Sequence, residues 1–480
     1  MRQYVNSSEF KITGLILPLG IVFAVGLGWL TAINGVIVPA ILIALIFIIP
    51  LIAISFISPK KGVIVLIGYC FFYALFAREV GSIPYGLAID GLLIITWLGV
   101  LFHNSLSVNQ RDLKNDLCTL SLIWFVYNFL QLANPAGASP MGWFQESRSS
   151  AFYWFMAVPL FTILFNKRRD LDIFLIIIIG ISVLAALNGV RQLYVGFTPG
   201  EQAFLSGPGG VTHMLWGKLR VFSFYGDAAQ FGSSQAHVGL IALILALGPF
   251  EKWKRILFAI AACILLYGML ISGTRGAFFV LAIGTVITLV LTKNVKALAA
   301  GSVFALLVFC FLKFTTIGNT NYEIYRFRSA LDPTDASLSV RFQNQSILRD
   351  YLSTRPFGGG VGSIGFFAHE YNSGKFLTAI PPDSYWVKIW ASYGIVGLIV
   401  WLGIMMFIIG KSCGIVWNIK DKRLKTKLMA LTAGAAGIVC CSYGNEIINI
   451  MPSSIIVYGS WAIVFLGSKL DRQVDGKSYI

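Results

Sequence analysis

Charge is what this chain has least of. Only 12% of its 480 residues are Asp, Glu, Lys or Arg, against about 25% in a soluble globular domain. Histidine is nearly absent, with His103, His213, His237 and His369 alone. The seven cysteines fall in or beside apolar runs, with no disulfide framework and no metal-ligand spacing. They read as small core residues. The chain holds no P-loop, no GxSxG elbow and no HExxH, so none of those chemistries has its signature here.

What fills the space is apolar. The chain is 57% hydrophobic with a mean hydropathy of +0.77. The apolar residues come in runs of about 20, enough to cross a ~30 Å hydrocarbon layer as helices. Lipid offers backbone groups no partners, so such runs must be helical. The net charge of +16 could suggest nucleic acid, but the basic residues lie between apolar runs and form no separate domain. The expected fold class is an all-α polytopic integral membrane protein of about 14 transmembrane helices. The spans fall near 12–32, 35–57, 62–78, 86–103, 117–133, 150–165, 171–195, 230–249, 255–271, 276–292, 296–314, 385–410, 426–446 and 452–468. Arg2 and Lys11 precede a first run too long for a cleaved leader, which is expected to stay as an anchor.

Every second connection between these runs is short and basic, which places those connections in the cytoplasm by the positive-inside rule. They hold 23 of the 37 basic residues, 16 of them Lys. Both termini are then expected inside. The other side receives three longer segments, 134–149, 196–229 and 315–384, the last being a long outer loop with short helices. Residues 1–210 form an N-terminal set of helices and 211–480 a second region containing that loop. Ten of the 14 basic residues on this outer side are Arg. A guanidinium is a planar fork that grips phosphate oxygens and never loses its charge. The bias therefore points to an anionic ligand, with ion pairing to Glu79, Glu146, Asp227 or Asp350 as the plainer account.

Four outer pieces could carry chemistry. Ser272-Gly273-Thr274-Arg275-Gly276-Ala277 puts an Arg where a helix begins, a good anion site, or else a tight turn with a snorkelling Arg. Arg220-Val221-Phe222-Ser223-Phe224-Tyr225 follows a glycine-rich loop. Arg341-Phe342-Gln343 opens an amphipathic helix closed by Arg355-Pro356-Phe357-Gly358-Gly359-Gly360-Val361-Gly362. These glycines could shape a loop around a substrate or merely end the helix. Pro381-Pro382-Asp383-Ser384-Tyr385 leads into the next span. Asp383 there could take a proton from a sugar hydroxyl or cap that helix. His213 and His369 lie in outer segments as further possible bases.

In this order the pieces resemble the O-antigen ligase and polymerase family, polytopic membrane glycosyltransferases of bacteria. The resemblance runs over roughly 215–410 and includes Tyr393-Gly394-Ile395-Val396-Gly397. It implies a metal-independent, cofactor-free transfer of undecaprenyl-diphosphate-linked glycan at the periplasmic face of the inner membrane. Arg220 and Arg275 match the arginines that hold the lipid diphosphate, with Arg341, Tyr385 and Arg191 as further substrate contacts. Ligases of the family have a His-Asn pair where this chain has Asp383-Ser384. That departure favours a polymerase, with Asp383 or His369 as base. A ligase acting on lipid A-core or protein is the alternative. A lipid-linked oligosaccharide flippase is the second, although no internal repeat supports a transporter. The implied partners are the lipid-linked glycan, its acceptor, the bilayer, a chain-length regulator and a flippase.

Overall fold

The computed structural model describes residues 5–473 apart from 35–36, 82–83, 104–109, 208, 216, 294–295, 297–298, 300, 302, 304–306, 308–309, 312, 319–321, 330–335 and 383. It is almost wholly helical. The helices used below are α1 (Val5–Asn34), α2 (Ile37–Ile57), α3 (Pro59–Val80), α4 (Gly86–Phe102), α5 (Asp116–Leu130), α6 (Pro140–Ser147), α7 (Tyr153–Leu164) and α8 (Arg168–Tyr194). They continue as α9 (Ala228–Ala246), α10 (Lys252–Ile271), α11 (Ala277–Leu291), α12 (Tyr322–Ser329), α13 (Ala336–Leu352), α14 (Tyr385–Asn418), α15 (Lys422–Cys441) and α16 (Ser453–Phe465). Among the described residues, seven helices are long and apolar enough to cross a membrane, and five shorter apolar helices accompany them. The chain is an all-α polytopic membrane protein. The expected span at 296–314 lies largely outside the described residues. The others coincide with helices whose ends differ from the expected ones by up to eight residues.

Two helices form the centre. Nine-tenths of the most apolar stretch of α9 and of α15 is buried, although these are among the least hydrophobic of the seven. A helix surrounded by protein need not be oily, and small residues let its neighbours approach. A side chain on Gly232 would meet Ser272 Oγ at 2.1 Å, and one on Gly284 would meet Leu240 at 2.1 Å. Helix α9 packs on α8, α10, α11 and α15, while α15 also packs on α14 and α16.

The lysine-rich end is laced by aspartates. Lys60 pairs with Asp170 at 2.8 Å and Arg168 with Asp421 at 2.7 Å. Lys427 pairs with buried Asp172, Lys411 with Asp116 and Lys469 with Asp112. The connections that the sequence marks as topology signals thus also tie helices together.

The opposite end carries the 315–384 segment, and its main surprise is in α14. The sequence reads as one helix through Tyr393–Gly397, but Gly394 has φ 70° and ψ −171° and breaks it. Segment 356–360 fills the break. Gly359 N–H donates to Ala391 O at 2.8 Å, Gly360 N–H to Ser392 O at 3.0 Å, and Val396 N–H to Pro356 O at 3.2 Å. A broken helix frees backbone groups that need partners in a dry interior. Gly359 and Gly360 supply two of them and Pro356 the third, so the glycine run neither simply ends α13 nor remains an open loop.

Candidate functional site

The turn between α10 and α11 gathers arginines from three parts of the chain. Arg275 lies on the turn, and its Nη1 donates to Ser329 Oγ of α12 at 3.0 Å. Arg326, also on α12, sends Nη2 back to Gly273 O at 3.1 Å. Arg220 reaches in from the segment before α9, with Nη2 to Thr274 Oγ1 at 3.4 Å and Nη1 to Thr212 O at 3.1 Å. These four bonds all end on hydroxyls or carbonyls, and they orient the guanidiniums about the turn. Thr274 in turn donates to Ala228 O at 2.8 Å, fixing the turn to the head of α9.

Local structure holds Arg220 firmly. Its N–H donates to His213 O at 2.7 Å, and Val221 N–H to Ile271 O at 3.3 Å. Ser223 sits at φ 50°, a region that non-glycine residues rarely adopt. Gln192 Oε1 accepts its N–H at 2.8 Å, and its hydroxyl donates to Ala185 O at 2.6 Å. Arg78 donates to the carbonyls of Ser223 and Tyr225 and lies over the Phe222 ring at 4.7 Å. Arg78, one of the ten outer arginines, thus props up the Arg220 segment.

The other expected residues scatter around this turn. Arg341 lines a cavity of about 30 Å³ with Asn344, Gln345, Pro381, Ser384 and Tyr443. Tyr385 is buried, gives its N–H to Ser442 O at 3.0 Å and directs its ring edge onto Trp401 at 5.6 Å, into the bundle. Arg191 bonds Glu201 at 2.5 Å, Asn188 at 2.9 Å and Gly196 O at 2.9 Å. Burial pushes the Glu201 carboxyl up, but bonds from Arg191, Thr198 and Gln192 outweigh it and hold it below the usual range. Asp383 lies outside the described residues. Its neighbour Ser384 caps α14, with Oγ accepting the Val387 N–H at 3.4 Å. The capping role weighed for Asp383 therefore belongs to Ser384, because the first helical residue is Tyr385.

His213 is occupied as a cap. Its Nε2 accepts the Ala228 N–H at 3.1 Å, and Nδ1 lies 2.8 Å from Gly209 O. Burial pushes its imidazole below the ordinary value, consistent with a neutral ring. His369 is exposed on the short helix Phe366–Tyr371. Among the acids offered as plainer partners for the arginines, Asp227 caps α9 through Gln230 N–H at 2.8 Å. Glu79 accepts from Thr198 and Gly200, and Glu146 pairs with Lys388 at 2.8 Å. Direct ion pairing does occur for Arg148 with Asp90 at 2.6 Å and for Arg191. Arg326 was counted among the ten outer arginines without being singled out, and Lys388 was not singled out at all. The signal for Lys388 was there, a lysine four residues inside an apolar run, where an ionisable group needs a reason.

Residues 260–402 match the family model described as O-antigen ligase. An O-antigen polymerase of Salmonella muenchen is 27% identical over 192 residues, covering 38% of this chain and 45% of that protein. Both likenesses are consistent with the O-antigen ligase and polymerase superfamily. The chain matches under half the length of that curated relative. The matched region takes in the Arg275 turn, α12, α13, the glycine segment and the break at Gly394, and begins well after Arg220.

Proposed function

We propose that this chain is a glycosyltransferase that polymerises undecaprenyl-diphosphate-linked glycan units at the periplasmic face of the bacterial inner membrane. The observation behind the proposal is the meeting of Arg220, Arg275 and Arg326 on one turn of the matched region. A sugar linked to a lipid diphosphate already carries its leaving group. The acceptor hydroxyl oxygen forms a bond to the anomeric carbon as the bond from that carbon to the phosphate oxygen breaks. Asp383 takes the hydroxyl proton. The charge that develops on the departing diphosphate falls on Arg220 and Arg275, which their bonds to Thr212, Thr274 and Ser329 hold in place in advance. Guanidiniums then do the electrostatic work a divalent metal does elsewhere, and activity is expected to survive EDTA within about twofold. Loss of activity on chelation, restored by added magnesium, would remove that part of the mechanism.

The deciding experiment is in the native host. Arg275→Ala and Asp383→Ala are each expected to leave protein in the membrane and abolish long surface polysaccharide, with single repeat units still transferred. Gel analysis of chain length reads this directly. Loss of every attached unit, with full-length glycan left on the carrier, would make the protein a ligase. Unchanged polysaccharide in both variants would overturn the site and bring a flippase forward.

A further inference from the structure

Lys388 stands one turn inside α14 and is 6% exposed. Its ammonium meets two carboxylates at once, Glu146 Oε1 at 2.8 Å and Glu446 Oε1 at 2.6 Å. Three separate parts of the chain supply this trio. Glu146 belongs to α6, Lys388 to the head of α14, and Glu446 to the turn joining α15 to α16. Asn449 adds a bond to Glu446 Oε1 at 2.8 Å. A buried ammonium needs one carboxylate to be neutralised. A second carboxylate, from another segment, pins both segments to one point, and removing the ammonium would leave buried Glu146 and half-buried Glu446 facing each other.

Each segment has a second tie that leads to the candidate site. The turn that bears Glu446 also bears Asn445, whose amide would lie 2.1 Å from a side chain on Gly276, directly beside Arg275. Just before that turn, Cys441 Sγ lies 3.1 Å from Gly276 O, and Ser442 O accepts the Tyr385 N–H at 3.0 Å. A side chain on Gly444 would lie 4.0 Å from Arg341. On the other side, a side chain on Gly365 would meet Lys388 Nζ at 3.3 Å and Pro382 Cγ at 3.5 Å. Glu146 is anchored through α6, where Ser139 N–H donates to Asn372 Oδ1 at 2.8 Å and Asn372 Nδ2 to Gly362 O at 2.9 Å.

We propose that Lys388 is a positioning residue for glycan transfer. Through Glu146 and Glu446 it fixes the arginine-bearing turn 272–276 against the head of α14 at Ser384 and Tyr385, and so sets the separation of the leaving group from the acceptor hydroxyl. This rests on the transferase function proposed above. Lys388 itself need not touch substrate. A misplacement of about 1 Å between reacting groups costs on the order of 100-fold in rate, so the effect falls on kcat and spares donor binding.

The test uses the full chain in lipid nanodiscs with lipid-linked glycan extracted from a host strain that lacks this protein. Turnover is expressed per folded molecule, with folding followed by size-exclusion profile and thermal shift. Glu446→Gln and Lys388→Met are each expected to lower kcat about 100-fold with KM for the lipid-linked glycan within about threefold. The charge swap Lys388→Glu with Glu446→Lys is expected to recover turnover to within about tenfold of wild type. If Lys388→Met does not fold, Glu446→Gln, which keeps the Lys388–Glu146 pair, carries the test alone. Unchanged turnover per folded molecule, with only a lower melting temperature, would show that the trio merely holds the fold. A raised KM at constant kcat would likewise overturn positioning. So would a folded charge swap without recovery, since the lysine itself would then be needed. A wild-type protein that turns over no glycan takes down the transferase function and this inference together, a result distinct from active wild type with unaffected variants.

Discussion

Alanine at both Arg220 and Arg275 is expected to cut glycan transfer by about 1,000-fold or more without lowering the amount of folded protein. Removing one preorganised donor from a developing oxyanion typically costs about 10²–10³-fold in kcat. The two guanidiniums converge on the turn that holds Thr274 and Arg275, so in the proposed mechanism they serve one leaving group. Their losses are therefore expected to be less than additive, because groups that work as a unit do not partition cleanly. Lysine is the informative control. It keeps the charge but offers no planar fork, and at position 275 it lacks the second branch that can hold Ser329 while facing a phosphate. Arg275→Lys should retain part of the activity, about tenfold above alanine on the same scale. The measurement is initial rate in nanodiscs with lipid-linked glycan. Equal rates for wild type and the double alanine variant would remove both residues from the mechanism.

The second large effect is on folding. Gly394→Ala is expected to destabilise the protein by at least about 3 kcal/mol and to deplete it from the membrane. Two causes add. The backbone at φ 70° and ψ −171° lies where only glycine is comfortable, at about 1–3 kcal/mol for other residues. A methyl group there would also sit 2.0 Å from Pro356 O and 2.4 Å from Gly358 N. Both are backbone atoms, so the 356–360 segment must move, giving up its bonds to Ala391, Ser392 and Val396. Gly403→Ala is the control on the same helix, since open space surrounds that position, and it should be neutral within about 0.5 kcal/mol. Thermal unfolding in detergent, with membrane abundance in cells, checks both. Equal melting temperatures for the two alanine variants would mean that the break is not a fixed part of the fold.

The helical spans were legible because their signal is one-dimensional. A run such as Ile37–Ile57 contains no charged residue, and only a helix satisfies its backbone in lipid. Gly394 escaped because a glycine within an apolar run looks like any other small packing residue. Nothing nearby in sequence announces that Pro356 will arrive to fill a gap. The arginines at 220 and 275 were legible as a pair of basic residues set against the topology bias. Arg326 was visible only as one of ten, since what singles it out is a bond to Gly273 across 53 positions.

The amino-acid sequence by itself determined the class of solvent, the helical nature and rough ends of the apolar runs and the separation of a lysine-rich end from an arginine-rich one. Those properties depend on local hydropathy and local charge, which need no partners to act. Tertiary structure alone decided which arginines meet at one turn and which are consumed elsewhere. It gave Arg191 to Glu201 and Arg148 to Asp90, put His213 under the head of α9, and drew Glu146 and Glu446 onto one buried ammonium. Pairings of this kind join residues tens to hundreds of positions apart. A charge has no directional preference of its own until packing brings one particular partner within about 3 Å and excludes the water that would otherwise screen it.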